Sequence, residues 1–152
     1  MTLTTRSSKV LPGEWVKGKM IGSRSFGHVH IAMSKINGHL FVVKSSKSIV
    51  GWKSLENEAG ILMKVRSSGC FVKWLGKEVT LESNGEYLLN IFLEHVGGGS
   101  IYDIFNKFGA QLSEEVICSY AKQILTSLQY LHEKGIVHCD IKCKFSWKCQ
   151  IG

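Results

Sequence analysis

Between Trp15 and Leu93 the apolar residues come in short runs with a period near two, separated by Gly, Asn and Ser, and this alternation predicts an antiparallel sheet. Five strands follow from it: Trp15–Ile21, Val29–Met33, Leu40–Lys44, Phe71–Leu75 and Tyr87–Leu93. Asn37-Gly38 and Asn84-Gly85 are hairpin signals, because both positions of a tight turn must tolerate positive φ. One helix interrupts the strands. Ser54 is a candidate cap for it, and Leu55, Ala59, Leu62 and Val65 share a face at helical spacing. Gly60 weakens that helix by up to ~1 kcal/mol relative to Ala. After Leu93 the period becomes helical and stays so. Ser100-Ile-Tyr-Asp103 has the form of a capping box, opening a short helix that Gly109 closes. A longer helix starts at Ser113, carries Glu114 and Glu115 in its first turn where the helix dipole favours anions, and stops before Gly135. Its apolar face is Val116, Ile117, Tyr120, Ile124, Leu125, Leu128 and Leu131. The β-rich first part joins the α-rich second part through residues 94–100, where Gly97, Gly98 and Gly99 give the joint hinge-like freedom.

Composition adds a size and a setting. A chain of 152 residues with 44% apolar and 20% charged positions suits one globular domain. At this length roughly 70% of the unfolded surface is buried on folding, so no disulfide or structural metal is required. The longest apolar stretch, Tyr87–Leu93, contains Asn90 and falls well short of the ~20 residues that cross a bilayer. The first ten residues lack the apolar segment of a secretory signal. A cytoplasmic or nuclear setting with no membrane partner is therefore expected. The five cysteines, Cys70, Cys118, Cys139, Cys143 and Cys149, are odd in number and irregular in position, which fits reduced thiols. Cys139, Cys143 and Cys149 with His138 depart from the spacings of structural zinc sites, so no metal is assigned to them. Lys and Arg number 19 against 12 Asp and Glu, a net charge of +7, yet they form no basic run. Nucleic acid is not an expected partner, whereas acidic or phosphate-bearing ligands suit the surplus.

Three segments carry chemistry. Ile21, Gly22, Ser23, Arg24, Ser25, Phe26, Gly27, His28 and Val29 lie between two predicted strands. There, glycine could supply positive φ and let backbone N–H groups approach phosphate oxygens, although glycines between strands also serve simply as hairpin turns. The next strand ends in Phe41-Val-Val-Lys44, and Glu58 follows fourteen positions later on the amphipathic helix. Each has an ordinary reading, a snorkelling lysine and a solvated glutamate. Together they suggest an ammonium held by a carboxylate so that it can meet phosphate. The third segment is Tyr130-Leu-His132-Glu-Lys-Gly-Ile-Val-His138-Cys-Asp140-Ile-Lys142. A helix ends at Gly135, and a short turn then presents His138, Asp140 and Lys142 on alternate positions. Asp140 could accept a hydroxyl proton as that oxygen attacks phosphorus, and Lys142 could neutralise charge on the transferred group.

In this order the segments resemble a eukaryotic protein kinase over the 131 residues from Glu14 to Lys144. Trp15-Val-Lys-Gly18 leading into Ile21-Gly22, Phe92-Leu-Glu94-His-Val-Gly-Gly-Gly-Ser100-Ile, and Ile136-Val-His-Cys-Asp-Ile-Lys142 narrow the similarity to the serine/threonine mitogen-activated protein kinase kinase kinases of plants. The resemblance implies an α+β, protein-kinase-like fold. Residues 1–13 would be a flexible N-terminus, 14–93 an N-lobe of five antiparallel strands and one helix, 94–100 the hinge, 101–144 a partial helical C-lobe and 145–152 an unmatched tail. It implies ATP as cofactor, with Ile21 and Val29 sandwiching adenine and Val42 in the usual place of Ala. Lys44 would contact the nucleotide phosphates with Glu58 as its ion-pair partner. Leu93 would be the gatekeeper, Glu94 and Val96 would offer backbone hydrogen bonds to adenine, and Asp103 would lie near the ribose or act only as a cap. Asp140 would be the catalytic base, Lys142 its phosphate-binding companion, and His138 a packed structural residue. The family substrate would be a downstream kinase, a mitogen-activated protein kinase kinase.

Three departures qualify what the resemblance implies. Arg24 replaces the middle glycine of the loop, which either strains it or adds a cation near phosphate. Cys139 stands in the place of an Arg that often anchors a phosphorylated activation loop, implying a different means of control. Phe145 occupies the position of the magnesium-binding Asn, and the Asp-Phe-Gly magnesium ligand does not follow. Magnesium is expected for the family, but its protein ligands are absent from these 152 residues. The expectation is therefore a C-terminally truncated kinase with little or no activity by itself, its long helix left with an uncovered apolar face. The alternatives are a non-catalytic fragment that binds nucleotide or partners, or an unstable product.

Overall fold

A computed structural model of the chain describes residues 9–142. Five strands, β1 (Trp15–Arg24), β2 (Gly27–Ser34), β3 (Leu40–Ser46), β4 (Trp74–Leu81) and β5 (Tyr87–Glu94), form one antiparallel sheet in the order β1-β2-β3-β5-β4. Three α-helices accompany it: α1 (Ile49–Val65), α2 (Ile101–Phe108) and α3 (Glu114–Glu133). The described residues divide into two compact units, 9–64 with 73–95, and 65–72 with 96–142. The α+β class and the five-stranded antiparallel sheet expected from the sequence are present.

In the first unit both Asn-Gly signals sit in hairpins. Gly38 and Gly85 hold φ of 69° and 81°, and the Asn37 and Asn84 carboxamide oxygens accept from the His39 and Glu86 N–H groups. The core gathers Ala32, Phe41, Val43, Leu75 and Phe92, with Val10 and Trp15 packed against them. The Trp15 ring meets Phe92 edge-on at 5.3 Å, and its Nε1 donates to Glu78 Oε2 at 2.7 Å. β5 is buried on both faces, since Leu89, Ile91 and Leu93 alternate with Asn90 and Phe92 and all five are buried. Asn90 remains polar there because Ser45 Oγ donates to its Oδ1 at 2.6 Å and its Nδ2 donates to Thr80 Oγ1 at 3.0 Å.

Two sequence expectations fail here. The fourth strand is not Phe71–Leu75 but runs from Trp74 to Leu81, its register with β5 set backwards from the Asn84-Gly85 turn. Lys77, Glu78 and Thr80 had hidden its period, and Gly76, at φ 140°, sits at its bulge. Phe71 belongs instead to the second unit, where its ring lies 6.4 Å from that of Tyr130. The first helix begins at Ile49 rather than Ser54. Its cap is Ser48, whose Oγ accepts from the Gly51 N–H at 3.1 Å, and Ser54 is an exposed interior position. Ile49, Val50 and Gly51 are poor helix formers, so propensity favoured the later start.

In the second unit the caps fall where local rules put them. Ser100 and Asp103 form the reciprocal capping box of α2, which Gly109 closes at φ 46°. Ser113 Oγ accepts from Val116 N at the start of α3, and Gly135 follows its end at φ 69°. Of the expected apolar face of α3, Leu131 is buried while Val116, Ile117 and Leu125 are exposed. Among the described residues no helix is long and apolar enough to cross a membrane.

Candidate functional site

In the first unit the candidate residues are built on β3 and α1. Alternation places Val42, Lys44 and Ser46 on one face of β3, opposite to Phe41, Val43 and Ser45, which turn into the core. Register sets Val29 and Ile91 beside Lys44 on the neighbouring strands, and Leu93 beside Val42. The structure brings Lys44 and Glu58 together, with Nζ 2.5 Å from Oε1 and the side chains 19% and 34% exposed. That is a charge-assisted contact sheltered from most of the solvent. It fixes the position of a cation while leaving the other ammonium donors to a second anion.

The glycine-rich loop is a tight hairpin. Ile21, Gly22, Ser23 and Arg24 end β1, Ser25-Phe26 form the two-residue turn, and Gly27, His28 and Val29 open β2, with Arg24 paired to Gly27. The expected positive φ is absent, since neither Gly22 nor Gly27 lies in that region. Glycine is required at 27 for another reason: a Cβ there would stand 2.3 Å from the Ser45 carbonyl oxygen. Ile21 falls at a register irregularity of β1 and is 55% exposed. Leu93 is buried, and the Glu94 N–H donates to Lys73 O at 2.9 Å.

The remaining residues singled out from the sequence lie in the second unit. Val96 is half-buried just past the sheet. Asp103 Oδ2 accepts from both Ser100 N and Ser100 Oγ at 2.7 Å, and these bonds hold its carboxyl below the usual carboxylate range. Cys139 stands at φ 59°, the one positive-φ non-glycine among the described residues. The tight bend it makes brings the Asp140 N–H to within 3.3 Å of His138 Nδ1. Lys142 Nζ lies 3.0 Å from Asp140 Oδ2, and both side chains are at least half exposed. The zinc combination weighed from the sequence includes Cys143 and Cys149, and the magnesium position is Phe145; all three lie outside the described residues, as do the unmatched tail 145–152 and residues 1–8. Among the described residues, no three His, Cys, Asp or Glu gather as a metal-holding group.

Sequence reasoning passed over Ser46, Ser48 and Gly51. A Ser-x-Ser-x-x-Gly run just after the Lys44 strand was the available signal, a cap followed by a small residue at the third helical position.

An antiparallel sheet whose lysine meets a helical glutamate, a glycine hairpin between its first two strands and a His-x-Asp-x-Lys run in the following unit define a class. Residues 15–144 match the protein kinase domain, and the chain belongs to the protein kinase family. Its relatives are mitogen-activated protein kinase kinase kinases of fungi and plants. It is 39% identical over 144 residues to the kinase MST11 of Pyricularia oryzae, which covers 85% of this chain and 15% of that protein. It is 35% identical over 129 residues to mitogen-activated protein kinase kinase kinase 17 of Arabidopsis thaliana, covering 85% of this chain and 34% of that protein. With YODA of the same plant the identity is 36% over 141 residues, covering 88% and 15%. The chain thus spans between 15% and 34% of the length of these relatives.

Proposed function

We propose that the chain is the nucleotide-binding part of a serine/threonine kinase of the mitogen-activated protein kinase kinase kinase type. The Lys44–Glu58 pair is the observation that carries this reading. A half-buried ammonium already held by a carboxylate, on the sheet face that also carries Val29 and Val42, suits a ligand with an apolar ring and a charged phosphate tail. Lys44 would meet the phosphates, the loop from Ile21 to Val29 would cover them, and Leu93 with the backbone of Glu94 and Val96 would border the adenine. Asp103 would border the ribose. Asp140 would take the proton from a substrate hydroxyl on a downstream mitogen-activated protein kinase kinase, and Lys142 would balance the phosphoryl charge.

ATP fits the residues present; magnesium fits them poorly. Kinases of this family work with magnesium-ATP, yet Phe145 offers hydrocarbon where a carboxamide oxygen is required. The 152 residues by themselves should therefore bind ATP and transfer phosphate slowly or not at all. Calorimetric titration of the purified chain with ATP should give measurable binding that Lys44→Met weakens at least tenfold. Unchanged binding in that variant would remove the assigned cradle. Radiolabel transfer to a kinase substrate that disappears in Asp140→Asn would overturn the expected inactivity.

A further inference from the structure

Three short segments meet around one buried hydroxyl. Ser46 is 3% exposed, and its Oγ donates to the carbonyl oxygen of Phe26 at the tip of the glycine-rich hairpin. The same Oγ lies 3.5 Å from Ser48 Oγ, which accepts from the Gly51 N–H in the first turn of α1. The packing leaves no space for side chains at either glycine of the junction. A Cβ on Gly51 would stand 1.9 Å from Ser46 Oγ and 2.6 Å from Phe26 O, and one on Gly27 would stand 2.3 Å from Ser45 O.

We propose that Ser46 is a positioning residue that pins the tip of the glycine-rich loop to the end of β3 and the start of α1, keeping the loop ready for the phosphates of a nucleotide. This deepens the nucleotide-binding reading and rests on it. Ser46 lies two residues beyond Lys44 on the same face of β3, so the pin draws the tip toward the face that carries the cation. A free two-residue tip would have to be ordered when ligand binds, at the expense of affinity. A tip already bonded to Ser46 is ordered on folding, and a larger part of each phosphate contact then appears as binding. The hydroxyl does not touch the ligand in this scheme; it acts through the backbone of Phe26.

The pin concerns phosphates and leaves the adenine edge alone, and this separates it from a general role in stability. In titrations of the full chain, Ser46→Ala should weaken ATP about fivefold, the effect of one net hydrogen bond, while adenosine binding stays unchanged. Gly51→Ala, which keeps the Ser46 residue but drives a methyl against both its hydroxyl and the Phe26 carbonyl, should show the same selective loss. Equal weakening of ATP and adenosine, no change in either, or tighter ATP binding would each overturn the proposal. A wild-type chain that binds neither ligand would overturn the nucleotide-binding reading itself, whereas one that binds both while Ser46→Ala leaves ATP untouched would overturn only the pin.

Discussion

His30 shows how one side chain couples this fold to pH. It lies on β2, where burial first, and then the charge of Lys17 and the nearby His28, push its pKa below the ordinary value of 6.5. Its Nδ1 is buried without a hydrogen-bond partner among the described residues, which is consistent with a neutral ring. A base whose folded pKa is depressed stabilises the fold above its unfolded pKa, and that contribution is lost as pH falls from about 6.5 through the lowered folded value. Melting temperature should therefore fall between pH 7 and pH 5.5, and His30→Gln should show a shallower fall over the same window. Parallel slopes in wild type and variant would remove His30 as the cause. Asp103 acts in the same direction at lower pH, because its carboxyl is held below its ordinary 3.8 by Ser100 and its contribution disappears in stronger acid.

Among the elements, α2 depends most on its ends. It has eight residues and none of them is buried, so packing does little to hold it and the capping box carries a large share. Ser100→Ala removes the acceptor for the Asp103 N–H and the hydroxyl that donates to Asp103 Oδ2. The expected cost is about 1 kcal/mol, with faster amide exchange confined to α2 and an upward move of the Asp103 carboxyl pKa by NMR titration. α1 contrasts with it. Its opening Ile-Val-Gly is poor in propensity, and tertiary contacts at Gly51 hold it in place.

For the molecule as a whole, the first unit holds most of the buried apolar residues. Phe92 touches the rings of Trp15 and Phe41 edge-on at 5.3 and 5.5 Å and is fully buried. Phe92→Ala should cost about 3–5 kcal/mol, measured by urea unfolding, because lost transfer energy and the cavity left behind add. A loss below about 1 kcal/mol would show that this cluster does not carry the unit's stability. In the second unit, Val116, Ile117 and Leu125 are exposed on α3 among the described residues, whereas Leu131 is buried.

The sequence by itself determined what depends on a few consecutive residues. The Asn-Gly turns, the Ser100 and Ser113 caps and the Gly109 and Gly135 stops all follow from backbone preferences that act over one to four positions. The order Gly22, Lys44, Glu58, Asp140, Lys142 was legible because chemistry constrains residue type even where structure is unknown. Only the tertiary structure decided the rest. β4 takes its extent from pairing with β5, so polar residues in its own run did not reveal it. Gly27 is small because the Ser45 carbonyl closes on it from 18 positions away, and Gly51 because Phe26, 25 positions away, closes on it together with the nearby Ser46. The 2.5 Å meeting of Lys44 with Glu58 joins a strand to a helix across fourteen residues, and only the path of the chain between them sets that distance.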